Sequence, residues 1–445
     1  VKSLCISLLI PTALFAGATV YTPPHGVEQD KVFKVKVAGQ PSFVYSLPMG
    51  GMTYFSYSSF ARRADIEITV ARPVETVAIR PKSLNIRPVI HGSVITFRLD
   101  RTAQLSIEIN GDSKHPLLLF ANPPESAPPK PGPTGVHYFA AGTVHNVGRI
   151  TVTSGQLVYI AGGAIVRGSI FMDQARDVHI LGRGVLDGSL YKRGESRMIE
   201  VNRSSGVDIE GIIITNSKHW TVPITASDKV TLRNVKLVSD NDWDDGVDVV
   251  GSTNVTVDQC FIRSKDDCVA IKAGVDYFTK FNSQRDVSNV TVKRSVLWNG
   301  AWGNGLEIGF ETRAASISGI RFLDNDLIHV EGPEGTFTIH NGDRAVISDV
   351  IYDNCRVEDS QGLLVDFKIL KSRYSKDEER GQIRNIQFRR IRADHKEIPS
   401  LLQGFDAKHQ IGGVVFEDVI VDGRKWTSLV DAGIKATHAE QISFK

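Results

Sequence analysis

Two groups of aspartates stand close together in one short part of this 445-residue chain: Asp242, Asp244 and Asp245, then Asp266 and Asp267. Carboxylates crowded in this way repel one another. The arrangement is tolerated where they bind something or do chemistry. Neighbouring carboxyls push each other's pKa values apart, so that one keeps its proton while another stays ionised. An acid beside a base is what cleavage of a glycosidic bond requires. The same residues would also suit a calcium site or plain solvated turns, since Asp and Asn are common in turns. The choice depends on whether the fold brings the two groups together. Asp245 and Asp267 are 22 residues apart.

The chain around them repeats itself. Val178-His-Ile180, Val207-Asp-Ile209, Val230-Thr-Leu232, Val255-Thr-Val257, Val290-Thr-Val292, Ile320-Arg-Phe322, Val350-Ile-Tyr352, Ile386-Gln-Phe388 and Val414-Val-Phe416 are all apolar-x-apolar triplets. They recur at intervals of 23 to 36 residues, usually with a second apolar pair close behind and polar turns between. Helical periodicity is nearly absent. Short strands at a loose period of this length describe a solenoid, and a right-handed parallel β-helix over residues 136–445 fits best. In such a fold, residues one coil apart lie side by side, about 4.8 Å apart. An interval of 22 residues is one short coil, so the aspartate groups should meet on one face. Val207, Val230, Val255 and Val290 should form one interior row.

Residues 20–120 read differently. Val32–Val37, Ile66–Val70, Val94–Phe97 and Leu105–Ile109 alternate apolar and polar residues, as in a small β-sandwich. That segment carries no catalytic constellation and reads as a packing or accessory domain. The stretch 121–135 holds six prolines and reads as a stiff linker. Residues 1–18, with Lys2, an apolar run and Ala16-Gly17-Ala18, read as an export signal. The expected location is therefore extracellular, or periplasmic in a bacterium. Lys plus Arg number 52 against 50 Asp plus Glu, which gives no electrostatic case for nucleic acid or an anionic membrane. Cys260, Cys268 and Cys355 are too few for a disulfide scaffold, and Cys268 is expected to point into the coil. His329, His340 and His395 lack metal-ligand spacing, so neither metal nor cofactor is expected. The expected partner is a polysaccharide, met by a monomer.

Asp244-Asp245-Gly-Val-Asp248, Asp266-Asp267-Cys268 and Gly303-Asn304-Gly305-Leu-Glu-Ile-Gly309 together resemble the polygalacturonase family, glycoside hydrolase family 28. Asn216-Ser-Lys-His-Trp220 is similar to that family's Asn-Ser-Pro-x-Trp stretch. The resemblance covers roughly residues 150–360. It implies that Asp266 is the general acid and that Asp245 and Asp267 hold and deprotonate the attacking water, with inversion. Coil spacing alone suggests carboxylates about 5 Å apart, the separation usual for retention. The layout of a sandwich before a β-helix also resembles the dextranases and isopullulanase of family 49.

Two positions depart from the family pattern. Its Gly-His-Gly histidine is Asn304 here, and its Arg-Ile-Lys is Thr338-Ile339-His340. The family's cations would pair with a sugar carboxylate. Their loss points to a neutral glycan, or to an acidic one held by Lys272 or Arg313. Expected substrate contacts are Asp244, Asp248, Lys272, Asn304, Glu307, Trp243, Trp302 and His340, with Trp220 a weaker candidate. Aromatic faces among them suit stacking on sugar rings. Two other functions stay open: a polysaccharide lyase using Lys265 or Lys272 as base, and a non-catalytic β-helix that binds carbohydrate or acts as an adhesin.

Overall fold

The computed structural model describes residues 17–275, 283–395 and 398–445. All but the last two residues of the expected export signal thus lie outside the described residues. From Val136 onward the strands form one 31-stranded sheet that coils as a right-handed parallel β-helix. The apolar triplets stack in register: Val207 pairs with Val230, Val230 with Val255 and Val255 with Val290. All four side chains are fully buried in the expected interior row. Further along, Phe322, Tyr352, Phe388, Phe416 and Phe444 form a stack with ring centroids 4.7 to 5.1 Å apart. That spacing is the distance between coils, so each aromatic face meets the next across the sheet.

Each coil turns sharply just before its triplet. Asn254 and Asn289 take left-handed backbone conformations there, with φ of 55° and 54°. Asparagine tolerates this region better than most residues. The Asn289 amide also donates to Asn254 Oδ1 at 2.6 Å, so the turns are tied coil to coil.

The N-terminal residues form two small sheets of six and five strands around their own apolar core. Strand Phe33–Val37 alternates buried and exposed residues, and Ala64–Val70 buries every second residue fully with more accessible residues between, as the sequence pattern requires. The first sheet lies against the second strand of successive coils. Tyr45, Phe55, Tyr57 and Phe120 pack there on Ile213, Val238, Phe261 and Trp298. Lys236, wholly buried at this junction, gives its ammonium protons to Asn122 Oδ1, the Gly211 carbonyl and the Asn234 carbonyl. Among the described residues no helix is long and apolar enough to cross a membrane.

Candidate active site

The aspartates occupy the corner between the second and third strands of successive coils. Strand Val247–Val250 pairs with Val269–Ala273, with Val247 opposite Val269. This register places Asp245 beside Asp267, and the Gly246 N–H donates to the Asp267 carbonyl at 2.8 Å. One coil on, Val269 pairs with Leu306, which brings Asn304 beside Asp267. The Asn304 amide donates to Asp267 Oδ1 at 3.1 Å, and its own oxygen accepts the Gly335 N–H at 3.0 Å. One coil before Asp245 lies Thr221, whose N–H donates to the Asp245 carbonyl at 2.7 Å. Gly303 closes the corner with φ +58°, and a Cβ there would lie 2.4 Å from Asp266 Oδ1 and 2.5 Å from the Asp267 nitrogen.

The corner crowds several carboxyls around one ammonium. Burial, reinforced by the Asp245 carboxylate, pushes Asp266 up to about 8. Burial and the same neighbours push Asp267 well above the usual carboxylate range. Lys272 supplies the counter-charge, its ammonium 3.0 Å from Asp245 Oδ2 and 3.1 Å from Asp248 Oδ1. Burial opposes that ammonium, but the two carboxylates outweigh burial and raise Lys272 well above its ordinary value. Its Nζ also lies 4.3 Å from the centre of the Trp220 ring, a cation–π contact. On the rim, Trp243 and Trp302 are 40% and 49% exposed. The Arg193 guanidinium lies over the Trp243 ring at 4.3 Å and the Lys265 ammonium over the Trp302 ring at 5.5 Å, while both cations pair with Asp242.

Corner, coil register and motif order converge on one known group. A family model for glycosyl hydrolases family 28 matches residues 151–438. The chain belongs to glycosyl hydrolase family 28. It is 25% identical over 178 residues to a polygalacturonase of Juniperus ashei, covering 35% of this chain and 32% of that one. It is 27% identical over 123 residues to an endo-polygalacturonase of Pectobacterium carotovorum subsp. carotovorum, covering 27% and 28%. The chain thus spans about a third of the length of these curated relatives or less. Among solved structures, Dex49A from Penicillium minioluteum superposes with a TM-score of 0.64 at 15% identity, over 96% of each chain. An exopolygalacturonase from Thermotoga maritima gives a TM-score of 0.54 at 14% identity, over 68% of this chain and 83% of its own. At these identities the two structures speak for the fold alone.

Within this family 28 framework, several expected substrate contacts turn out to be internal. Asp244 has no exposed surface and accepts the backbone N–H groups of Asn241, Lys265 and Asp266 at 2.8, 2.8 and 3.1 Å. It therefore fixes the turn that carries Asp266, and burial raises it to about 7 despite those three donors. Asp248 is fully buried against Lys272, and Lys272 is committed to its two carboxylates, so neither presents a free group to a sugar. Asn304 is spent on Asp267 and Gly335. Glu307 and His340 are fully buried and face each other at 3.1 Å, and His340 Nε2 meets Asp366 at 3.1 Å. Burial opposes charge on that imidazole, but Glu307 and Asp366 prevail and lift His340 to about 10. Thr338 bonds to Glu307 and to the Leu306 carbonyl. Trp220 is buried, Arg313 pairs with Asp377, and Cys268 points inward as expected.

Two contributors escaped the sequence reading. Asp240 lies against the N-terminal sheets, where a Cβ on Gly50 would fall 2.3 Å from its Oδ2. Nearby, the Arg263 guanidinium donates to Thr53 Oγ at 2.6 Å. His219 is the other. The Trp220 N–H donates to its Nδ1 at 2.7 Å, and its ring centre lies 6.1 Å from that of Trp243.

Proposed function

We propose that this protein is a secreted glycoside hydrolase that cleaves a polysaccharide by general acid–base catalysis. The observation that carries the reading is the register that sets Asp245, Asp266 and Asp267 together at one corner. Asp266, holding its proton to about pH 8, is suited to protonate the leaving oxygen. Asp245, with Lys272 as counter-charge, is suited to take the proton of the attacking water, and Asp267, steadied by Asn304, to help hold that water. Family resemblance favours inversion of configuration. Trp243 and Trp302, partly exposed on the rim, are the candidate stacking surfaces for sugar rings. The lyase alternative loses its bases, since Lys272 is held protonated between two carboxylates and Lys265 is paired with Asp242.

The favoured substrate is a neutral glycan. Lys272, Lys265, Arg193 and His340 each already face a carboxylate, and Arg197 feels those of Glu200 and Asp248. A polyanion entering this groove would meet the Asp242 and Asp245 carboxylates, while these cations, among the described residues, already face carboxylates; like charges in a partly desolvated groove repel. The test is reducing-sugar release from polygalacturonate, dextran, pullulan and neutral galactans at matched concentration and low salt, with wild type and Asp266→Asn. A neutral glycan should be cleaved best, and Asp266→Asn should lose about 10² to 10⁴ in rate. Near-full activity in the variant overturns the site. Polygalacturonate as the best substrate restores a plain polygalacturonase.

A further inference from the structure

Asn299 lies outside every motif on which the family resemblance rests. It ends the strand Val296–Asn299, where the register sets it beside Ser264 of the coil before and Val330 of the coil after. Its side chain has no exposed surface, and its amide reaches three successive turns. Nδ2 donates to the Asp266 carbonyl at 2.8 Å and to the Trp302 carbonyl at 2.6 Å, and Oδ1 accepts the Gly332 N–H at 2.9 Å. The Gly332 donor settles which end of the amide is oxygen. Both N–H protons are thus spent on carbonyls, one in the turn of the acid and one in the turn of a rim tryptophan.

The direction of a side chain from the backbone is set by the two rigid peptide planes that flank its Cα. At Asp266 one plane is held through its N–H, which donates to Asp244 Oδ1 at 3.1 Å. The other is held through its carbonyl, which accepts from Asn299 and, at 3.1 Å, from Ser264 Oγ. At Trp302 the N–H donates to the Lys265 carbonyl at 2.9 Å, and the carbonyl accepts from Asn299. We infer that Asn299 is a positioning residue that ties the carboxyl of Asp266 to the ring of Trp302, so that a sugar stacked on the rim meets its proton donor. The inference rests on the reading of the corner as a glycoside hydrolase site. The coil before shows what a shorter side chain does at this place. Ser264 Oγ reaches the carbonyls of Asp266 and Asp267, both within its own turn, at 3.1 Å each. Trp302 follows Asn299 as Asp267 follows Ser264, so a hydroxyl here would hold the Trp302 turn, whereas the two N–H groups of asparagine bridge two turns.

Asn299→Ser should therefore keep Trp302 in place and release Asp266, while Asn299→Ala releases both. On the best substrate, Asn299→Ser is expected to lower kcat about 10- to 100-fold with KM within about threefold of wild type. Asn299→Ala is expected to lower kcat likewise and to raise KM about 10-fold. The carboxyl ¹³C signal of Asp266, assigned by its loss in Asp266→Asn, should titrate about one pH unit lower in Asn299→Ser than in wild type, because a released carboxyl is better solvated. Ser295→Ala, which removes a buried acceptor of the Cys260 N–H just before the same strand, controls for destabilisation alone and should move none of these readouts. Unchanged kcat in Asn299→Ser, or equal losses in Ser295→Ala, overturns the inference. In the wild-type protein both Nδ2 protons of Asn299 should exchange slowly with solvent. Rapid exchange overturns the inference even where a variant folds poorly. A wild type that cleaves no glycan overturns the hydrolase reading. An Asp266 titration identical in wild type and Asn299→Ser, which needs no substrate to measure, overturns the positioning.

Discussion

Replacing Lys272 with methionine tests whether the aspartate corner depends on a buried counter-charge. The ammonium lies 3.0 Å from Asp245 and 3.1 Å from Asp248, whose side chains are 4% and 0% exposed. Removing one partner of such a buried pair costs about 3–5 kcal/mol, because the charge left behind is desolvated and unpaired. The lost contact with the Trp220 ring adds about 0.5–2 kcal/mol that does not vary with pH. The larger part does vary. The folded variant can shed its uncompensated charge by binding a proton that the unfolded chain does not hold above its ordinary carboxylate pKa of about 3.9.

The sign follows directly. Between about pH 4 and the point where the folded cluster ionises, the folded state holds one more proton than the unfolded state, so stability falls as pH rises. Each pH unit is worth about 1.4 kcal/mol. The electrostatic penalty should therefore be roughly 1.5 kcal/mol at pH 5 and approach the full 3–5 kcal/mol by pH 8. Urea unfolding of wild type and Lys272→Met at the two pH values measures the difference. Asp245→Asn/Lys272→Met removes this ion pair, while burial holds Asp248 well above the usual carboxylate range and so neutral, and should recover most of the loss at pH 8. Equal penalties at pH 5 and pH 8, or no rescue in the double variant, would refute the reasoning.

Two other perturbations address the same corner. Gly303→Ala demands an alanine at φ +58° and a Cβ 2.4 Å from Asp266 Oδ1; it should lose about 1–2 kcal/mol of stability and most activity, read by thermal unfolding and by turnover, and an active, unshifted variant would show that the corner tolerates displacement. Asp266 is protonated below about pH 8 and ionised above it, so kcat/KM should fall on an alkaline limb near pH 8, and a limb well below pH 6 would mean that another group is the acid.

The fold was legible because its rule is repetitive. One apolar-x-apolar triplet per coil, at intervals of 23 to 36 residues, suffices to specify the stacking, and the interval of 22 residues between Asp245 and Asp267 matches the pairing of Val247 with Val269. The fate of individual polar residues was harder to read. Glu307 and His340 sit on outward-facing positions of two paired strands, and sequence alone gives no sign that they neutralise each other out of solvent's reach. Asp244 and Asp245 are adjacent in sequence, yet one holds backbone amides while the other pairs with Lys272. That division depends on the turn, where Trp243 takes a φ of 64°.

A clue to the role of the N-terminal sheets was present in the sequence. In some coils the second strand is apolar at consecutive positions, as in Ile212-Ile213-Ile214 and Cys260-Phe261-Ile262, and all six of these side chains are buried. A strand with one face on the core and one in water alternates, so unbroken apolar runs mean that both faces are covered. Here the outer face is covered by Tyr45, Phe55, Tyr57 and Phe120. The same sheet brings Gly50 against Asp240, at the start of the turn that carries Asp244 and Asp245, and Thr53 against Arg263, one coil on, just before the turn that carries Asp266 and Asp267. These contacts tie the N-terminal sheets to the strands and turns that carry the aspartates. Their packing reaches Asp240, which four residues of chain separate from Asp245.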